Sequence, residues 1–191
     1  QVVRVDWESR RGISRGTMTR MLDFISSRAS EVDSLLLSDY DKGVITRASA
    51  RAAIEAADDL GKLSASNAKP HNLRSFAGIG VVTLNQSEAA AASGMDITSE
   101  EDVTKAARRL MKSAPCRGLV ITRGAHGLSV FEDDCRATHI PALETEVYDV
   151  AGAGDTVVSA LVLGLSCGLS LPLAGTLANC AGGAVVRKVG V

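Results

Sequence analysis

The stretch that decides the fold reads DVAGAGD at residues 149–155, and a run of apolar and small residues follows it over residues 156–165. Glycine and alanine in such a turn let successive backbone amides converge. The run that follows has the spacing of a helix, and the N-terminus of a helix carries a partial positive charge. The sequence therefore predicts a turn that opens a helix and holds an anion, such as a phosphate group.

Asp155 closes this turn, at a place where a carboxylate is poorly suited to bind phosphate. A carboxylate there is suited to act as a base that takes a proton from an attacking hydroxyl group. The turn alone is equally compatible with a plain glycine turn in which Asp155 caps the helix. Both interpretations stay open at this point.

A second polar cluster, NQSE at residues 85–88, follows the apolar strand pattern of residues 79–84. Asn85 and Glu88 stand three residues apart, so both side chains can face one ligand at the start of a helix. The glutamate could then hold Mg²⁺ through water, and the asparagine could bind phosphate or a metal-bound water. The same spacing is that of an N-cap and its capping-box partner, which the segment taken alone favours.

The composition is that of a globular protein. Hydrophobic residues make up 46% of the 191 residues and charged residues 23%, enough for the core of one domain or a large piece of one. The net charge is −1 and aromatic residues make up 3%, so nothing indicates nucleic-acid binding. No apolar run reaches the ~18 residues of a membrane helix. The four cysteines lie far apart and form no C-x-x-C pair, so neither a zinc ribbon nor a dense disulfide framework is indicated.

Short apolar runs alternate with longer helical patterns, which predicts a mostly parallel sheet covered by helices. The predicted strands are residues 32–37, 62–66, 79–84, 119–122 and 128–131, the last two forming a hairpin. The predicted helices are residues 46–60, residues 100–113 with Thr98 and Glu101 as a capping box, and two helices of small residues within 154–191, divided near Pro172. The segment 8–16 is predicted to be a mobile loop or a returning surface segment.

Three motifs, TLNQSE at residues 83–88, TRGAHG at 122–127 and DVAGAGD, occur in the order found in the ribokinase-like (PfkB) carbohydrate kinases. The chain resembles this family over nearly its whole length. The resemblance implies an α/β, doubly wound, mostly parallel sheet with helices on both faces. SDYDKG at residues 38–43, with VRVD at 3–6, looks most like the kinase half of the heptose-phosphate kinase/adenylyltransferase proteins.

The resemblance implies a role for each motif. Asp155 would be the catalytic base that activates the sugar hydroxyl. The backbone amides of Ala151, Gly152, Ala153 and Gly154 would form the anion hole for the transferring phosphoryl group.

The remaining implied roles concern the nucleotide, the metal and the acceptor. Asn85 and Glu88 would serve the phosphates of ATP and Mg²⁺, with Glu88 holding the metal through water. The other implied contacts are Thr122 and Gly124 at the border of the nucleotide, Asn179 and Gly182 in the adenine pocket, and Asp39 and Lys42 at the sugar end.

Some of these residues also fit an interpretation in which they bind no ligand. Asp39, Asp41 and Lys42 could form a solvated loop with a local ion pair, worth only ~0 to 1 kcal/mol. His126 and His139 have no metal-ligand partner at a useful spacing, so both are predicted to be structural or surface residues.

The sequence departs from the family pattern at two loops and at its start. NAKP at residues 67–70 stands where relatives tend to read Asp-Pro-Lys, and TLN at 83–85 where they often read Thr-Pro-Asn. The chain opens at Gln1 without Met, and the glycine-rich sugar-binding segments and lid strands of the family precede the region that Gln1 resembles. We therefore expect residues 1–191 to be a single, partial kinase domain, its nucleotide-binding C-terminal portion.

The expected reaction is phosphoryl transfer from ATP, with Mg²⁺, to a sugar or sugar-phosphate hydroxyl, first of all D-glycero-D-manno-heptose 7-phosphate. One alternative is a kinase of fructose 6-phosphate, ribose or a nucleoside, and another is a non-catalytic nucleotide-binding protein of the same fold. The expected partner is a small-molecule substrate, without nucleic acid or membrane. A cytoplasmic location is expected, and a homodimer is one option for the assembly.

Overall fold

The computed structural model describes residues 5, 7 and 11–188, and in them a six-stranded sheet forms the centre. The strands are β1 (Ser34–Ser38), β2 (Leu63–Asn67), β3 (Val81–Asn85), β4 (Gly118–Thr122), β5 (Leu128–Glu132) and β6 (Ala137–Ile140). They lie side by side in chain order. β1 to β4 pair in parallel, whereas β5 is antiparallel to β4 and β6 is antiparallel to β5. The predicted hairpin is confirmed as β4 and β5.

Helices cover both faces of this sheet. In the described part of the chain they are α1 (Arg15–Arg28), α2 (Arg47–Asp59), α3 (Gln86–Ser93), α4 (Glu100–Ser113), α5 (Ala153–Ser166) and α6 (Leu171–Val185). Val82 and Leu84 of β3 pack in the core with α2, α3 and α4, whereas Val81 packs with α5 and α6. This alternation is that of a strand buried on both sides. The expected mostly parallel sheet between two helical layers is confirmed.

The predicted bounds of α4 are confirmed, but its predicted capping box is wrong by one residue. The helix begins at Glu100, so Ser99 is the N-cap, and its hydroxyl accepts from the Asp102 backbone N–H at 3.2 Å. The Asp102 carboxylate accepts from the Ser99 N–H and from the hydroxyls of Ser99 and Thr98. These hydroxyl donors lower the pKa of Asp102. Thr98 and Glu101 therefore do not form the reciprocal pair.

Among the α-helices and strands, α1 and β6 have no counterpart in the sequence predictions. α1 follows an N-cap at Ser14, and its apolar residues Met18, Met21, Leu22 and Ile25 have helical spacing but are only half-buried. The sequence predictions overlooked this stripe. All residues of β6 are half-buried, without the alternation of a typical strand. The loop predicted at 8–16 gives way to helix at Arg15. Residues 8–10, residues 189–191 and all of VRVD except Val5 lie outside the described residues.

α5 and α6 are the predicted pair of small-residue helices, and they pack closely because of their glycines. A Cβ on Gly182 would lie 2.8 Å from Val157 Cγ2, and one on Gly164 would lie 3.2 Å from Leu177 Cδ2. Pro172 lies in the first turn of α6, where it displaces no helical hydrogen bond. None of the described helices is long and apolar enough to cross a membrane.

Cysteine labelling tests how firmly the α4 face of the sheet is packed. Burial raises the pKa of the Cys116 thiol to about 12, whereas Cys167 and Cys180 are exposed. Because the thiolate is the reactive form, N-ethylmaleimide at about pH 8 is expected to modify Cys167 and Cys180 and to spare Cys116 until the protein is unfolded. Peptide mass mapping reads out the sites. Native labelling of Cys116 as fast as the exposed pair would contradict this packing.

Candidate active site

The loops that follow β1 to β4 meet at one edge of the sheet, because the carboxyl ends of parallel strands lie together. Asn85 at the end of β3 pairs with Thr122 at the end of β4, and Ser38 at the end of β1 pairs with Asn67 at the end of β2. Open α/β sheets bind their ligands outside this edge. The segments predicted for phosphate, metal and acceptor are therefore brought to the same side of the fold.

The DVAGAGD turn opens α5. Gly152 is the N-cap, with φ +71°, and has no side-chain cap. The Ala151 N–H donates to the Asp149 carboxylate at 2.9 Å, and the Ala153 N–H donates to the Val150 carbonyl at 3.3 Å. These two amides of the predicted anion hole are thus already engaged within the turn.

The remaining amides of the DVAGAGD turn are open to an anion. Within the described residues, no group accepts a hydrogen bond from the N–H of Gly152, Gly154 or Asp155. Gly154 also has open space where a Cβ would stand. These N–H groups point out of the first turn of a helix, where the helix dipole is positive.

Asp155 is exposed in the first turn of α5, and its contact crosses the fold. Its Oδ2 accepts a hydrogen bond of 2.9 Å from the hydroxyl of Tyr40, in the loop after β1. Among the described residues, no backbone N–H donates to its carboxylate. The geometry therefore favours the interpretation of Asp155 as a presented carboxylate over that of a helix cap.

Asn85 and Glu88 form the capping box of α3. Asn85 Oδ1 accepts from the Glu88 N–H at 2.8 Å, and Glu88 Oε2 accepts from the Asn85 N–H at 2.9 Å. Glu88 Oε1 also pairs with the Lys69 ammonium group at 2.5 Å. The interpretation of this pair as an N-cap with its capping-box partner is confirmed. The same contacts hold the largely buried Glu88 carboxylate at the carboxyl edge of β3.

The Asp39 carboxylate is 2% exposed and anchors the neighbouring loops. Its Oδ1 accepts from the Asp41 N–H at 2.9 Å, and its Oδ2 accepts from the Asn72 side-chain amide at 2.9 Å and the Lys69 N–H at 3.3 Å. The reading of Asp39 as part of a solvated loop is therefore wrong. A direct contact with substrate stays a prediction, as it does for half-buried Lys42.

Removing this carboxylate is expected to destabilise the protein. Asp39→Ala leaves three N–H groups at a buried site without their acceptor, so we expect the free energy of unfolding to fall by about 2 to 4 kcal/mol. Asp59→Ala, at the exposed end of α2, is the matched control and is expected to change it by less than about 0.5 kcal/mol. Urea denaturation measures both. Equal stability of the two variants would contradict the anchoring role.

A cavity of about 570 Å³ opens between the β4–β5 turn, the start of α4 and the segment after β6. Arg123, between Thr122 and Gly124, lines it and donates to Glu100 at 3.1 Å. Pro141, in the segment after β6, also lines it.

Of the two residues predicted for the adenine pocket, one contacts a residue that lines this cavity. Asn179 of α6 donates from Nδ2 to the Pro141 carbonyl at 2.8 Å. Gly182, in the same helix, is buried against Val157, where its visible role is helix packing.

Sequence reasoning missed two residues of the site, Tyr40 and Lys69. Tyr40 contacts a residue 115 positions away, and Lys69 pairs with a residue 19 positions away. Local spacing carries no signal for such contacts. Their place directly after predicted strands was the available signal, since such positions collect at the carboxyl edge of a parallel sheet.

Family comparison identifies the class of protein that carries this site. The model of the pfkB family of carbohydrate kinases matches residues 18–191. The chain belongs to this family. The predicted family membership is thereby confirmed.

Two bacterial relatives of this pfkB chain align with its whole length. The bifunctional protein HldE of Geotalea uraniireducens is 42% identical over 190 residues, and that of Geobacter metallireducens is 40% identical over 190 residues. Each alignment covers 100% of this chain and 39% of the relative. The chain thus spans about two fifths of the length of these relatives.

Solved structures of kinases share the fold of this pfkB chain. Phosphofructokinase-2 from Escherichia coli superposes with a TM-score of 0.79 at 20% identity, covering 92% of this chain and 58% of the enzyme. Ribokinase from Arabidopsis thaliana, solved with ribose and ATP, superposes with a TM-score of 0.74 at 17% identity, covering 95% of this chain and 55% of the enzyme. The expected ribokinase-like fold is confirmed.

Proposed function

We propose that this chain carries the nucleotide site and the catalytic base of an ATP-dependent carbohydrate kinase. The observation that carries the proposal is the start of α5, where the exposed Asp155 carboxylate stands beside unengaged helix N-terminal amides. A base next to an anion site is what phosphoryl transfer to a hydroxyl requires. A module that only bound a nucleotide would have no use for such a base.

The residues present fit a nucleoside triphosphate and Mg²⁺. The free N–H groups of Gly152 and Gly154 suit a phosphate. Both Glu88 oxygens are engaged, by Lys69 and by the Asn85 N–H, so this carboxylate is proposed to meet Mg²⁺ through the waters that the metal keeps. When bound, ATP supplies the phosphoryl group and Mg²⁺ offsets its charge. Asn85, Thr122, Gly124 and Asn179 are proposed to complete the nucleotide site, whereas Gly182, buried against Val157, is not.

Asp155 is proposed to take the proton from the acceptor hydroxyl. Its Oδ2 is held by Tyr40, whereas its Oδ1 accepts no hydrogen bond from any described residue. Oδ1 is therefore the atom available to the hydroxyl. The amides of the same turn stabilise negative charge as it develops on the transferring group, because they are fixed before the reaction begins.

The proposed acceptor is a sugar phosphate, with D-glycero-D-manno-heptose 7-phosphate as the first candidate. The motif SDYDKG and the 42% identity with an HldE protein over the whole chain support this choice within the family. Lys42, in the loop that also carries Tyr40, is proposed to contact the phosphate of the acceptor. A cytoplasmic location and a homodimer are the accompanying proposals.

An acceptor panel tests this function. ADP release by the full-length protein that carries this chain is measured with ATP and Mg²⁺ alone, and then with heptose, hexose, pentose and nucleoside acceptors and their phosphates. We expect release that depends on the acceptor and is highest with the heptose 7-phosphate. Highest turnover with fructose 6-phosphate would retain the kinase and change its substrate. ATP binding without turnover on any acceptor would favour a non-catalytic protein.

A further inference from the structure

The loop after β1 is held in place on both sides of Tyr40. On one side, Asp39 is buried and accepts three hydrogen bonds, including one from the Asp41 N–H. On the other side, Asp41 adopts a left-handed conformation with φ +57° and lies 3.0 Å from His71 Nε2. The backbone of Tyr40 is thereby fixed between two anchored residues. Its side chain leaves this loop and reaches the first turn of α5.

The contact made there is a hydrogen bond between two residues that belong to different layers of the fold. The Tyr40 hydroxyl donates to Asp155 Oδ2 at 2.9 Å, although Tyr40 is 56% exposed and Asp155 is exposed as well. The contact is not needed to fill the core or to satisfy a buried group. Its effect is to restrict the orientation of a carboxylate at the end of the DVAGAGD turn.

We propose that Tyr40 is a positioning residue that orients Asp155 for proton transfer, an inference that rests on the proposed kinase function. The terminal torsion of an aspartate is broad, so a hydrogen bond to one oxygen narrows the orientations of the carboxylate. Tyr40 holds Oδ2 and so leaves Oδ1 as the oxygen that an acceptor hydroxyl can meet. A base that is already oriented loses less freedom when the acceptor arrives.

Removing one hydroxyl tests this role. In the full-length protein, Tyr40→Phe is expected to lower kcat by about 10-fold while the KM values for ATP and acceptor change by less than about twofold. Tyr148→Phe is the matched control, because Tyr148 is 61% exposed and also donates to a carboxylate, that of Glu146. This control is expected to keep the wild-type kcat. If both variants keep the wild-type melting temperature, a lower kcat of Tyr40→Phe reflects the orientation of Asp155 and not a loss of folding.

A double-mutant cycle with Asp155→Asn decides whether Tyr40 acts through Asp155. Once the base is gone, Tyr40→Phe is expected to lower the residual kcat by less than about twofold. A full loss on top of the Asp155→Asn substitution, or a rise in the acceptor KM without a loss of kcat, would overturn the positioning role. Wild-type kcat for Tyr40→Phe would also overturn it. If Asp155→Asn itself stays active, the proposed function fails instead.

Discussion

Asp155→Asn in the full-length protein is expected to lower kcat by about 10²-fold or more while ATP binding is retained. The amide has the shape of the carboxylate, and its oxygen can still accept the hydrogen bond from Tyr40. The variant therefore removes the proton acceptor and little else. Steady-state kinetics measures kcat, and fluorescent-nucleotide titration measures the affinity for ATP.

The matched control for this variant is Asp59→Asn. Asp59 is also an exposed aspartate, but it lies at the end of α2, away from the DVAGAGD turn. It is expected to keep the wild-type kcat. If Asp155→Asn also stayed within about threefold of the wild-type kcat, Asp155 would not be the base.

Gly127→Ala is expected to have the largest effect on stability. Gly127 follows the β4–β5 turn with φ +79°, a region that alanine avoids, and a Cβ there would lie 2.0 Å from the Ile140 carbonyl oxygen. Because this oxygen belongs to the backbone at the end of β6, that end of the strand would have to move away. We expect the free energy of unfolding to fall by about 3 kcal/mol or more, as measured by urea denaturation.

Gly124→Ala is the matched control for Gly127→Ala, because both glycines belong to the TRGAHG motif. Gly124 also has a positive φ, +57°, but a Cβ there meets no atom within 4 Å. The cost is then that of the left-handed conformation alone, about 1 kcal/mol. Equal destabilisation by the two variants would show that the close approach of the Ile140 carbonyl does not constrain the fold.

The elements that the sequence predicted correctly are those whose burial follows a regular pattern. α4 buries Val103, Ala106, Ala107, Leu110 and Met111 on one face, and the parallel strands β3 and β4 bury nearly every side chain. β6 was missed because it is half-buried throughout and lacks the alternation of a strand. α1 was missed although Met18, Met21, Leu22 and Ile25 have helical spacing, because this half-buried stripe was overlooked beside the polar residues around it. Periodicity identifies an element most readily where the core buries one face completely.

The candidate site was predictable in its local parts and not in its long-range contacts. The capping box of Asn85 and Glu88 and the turn before Asp155 both lie within a few residues of sequence. The contacts of Tyr40 with Asp155 and of Lys69 with Glu88 join separate loops. They depend on the order and direction of strands in the sheet, which residue spacing alone does not specify.

Phosphoryl transfer with Asp155 as its base is tested most directly by following the terminal phosphate of ATP. The full-length protein is incubated for a single turnover with ATP radiolabelled at that phosphate, Mg²⁺ and the sugar phosphate that the acceptor panel selects, beside Asp155→Asn. With the wild-type protein we expect the label on a hydroxyl of the sugar phosphate, and with the variant we expect it to stay on ATP. Label released to water, or transferred equally by both proteins, would contradict a kinase whose base is Asp155.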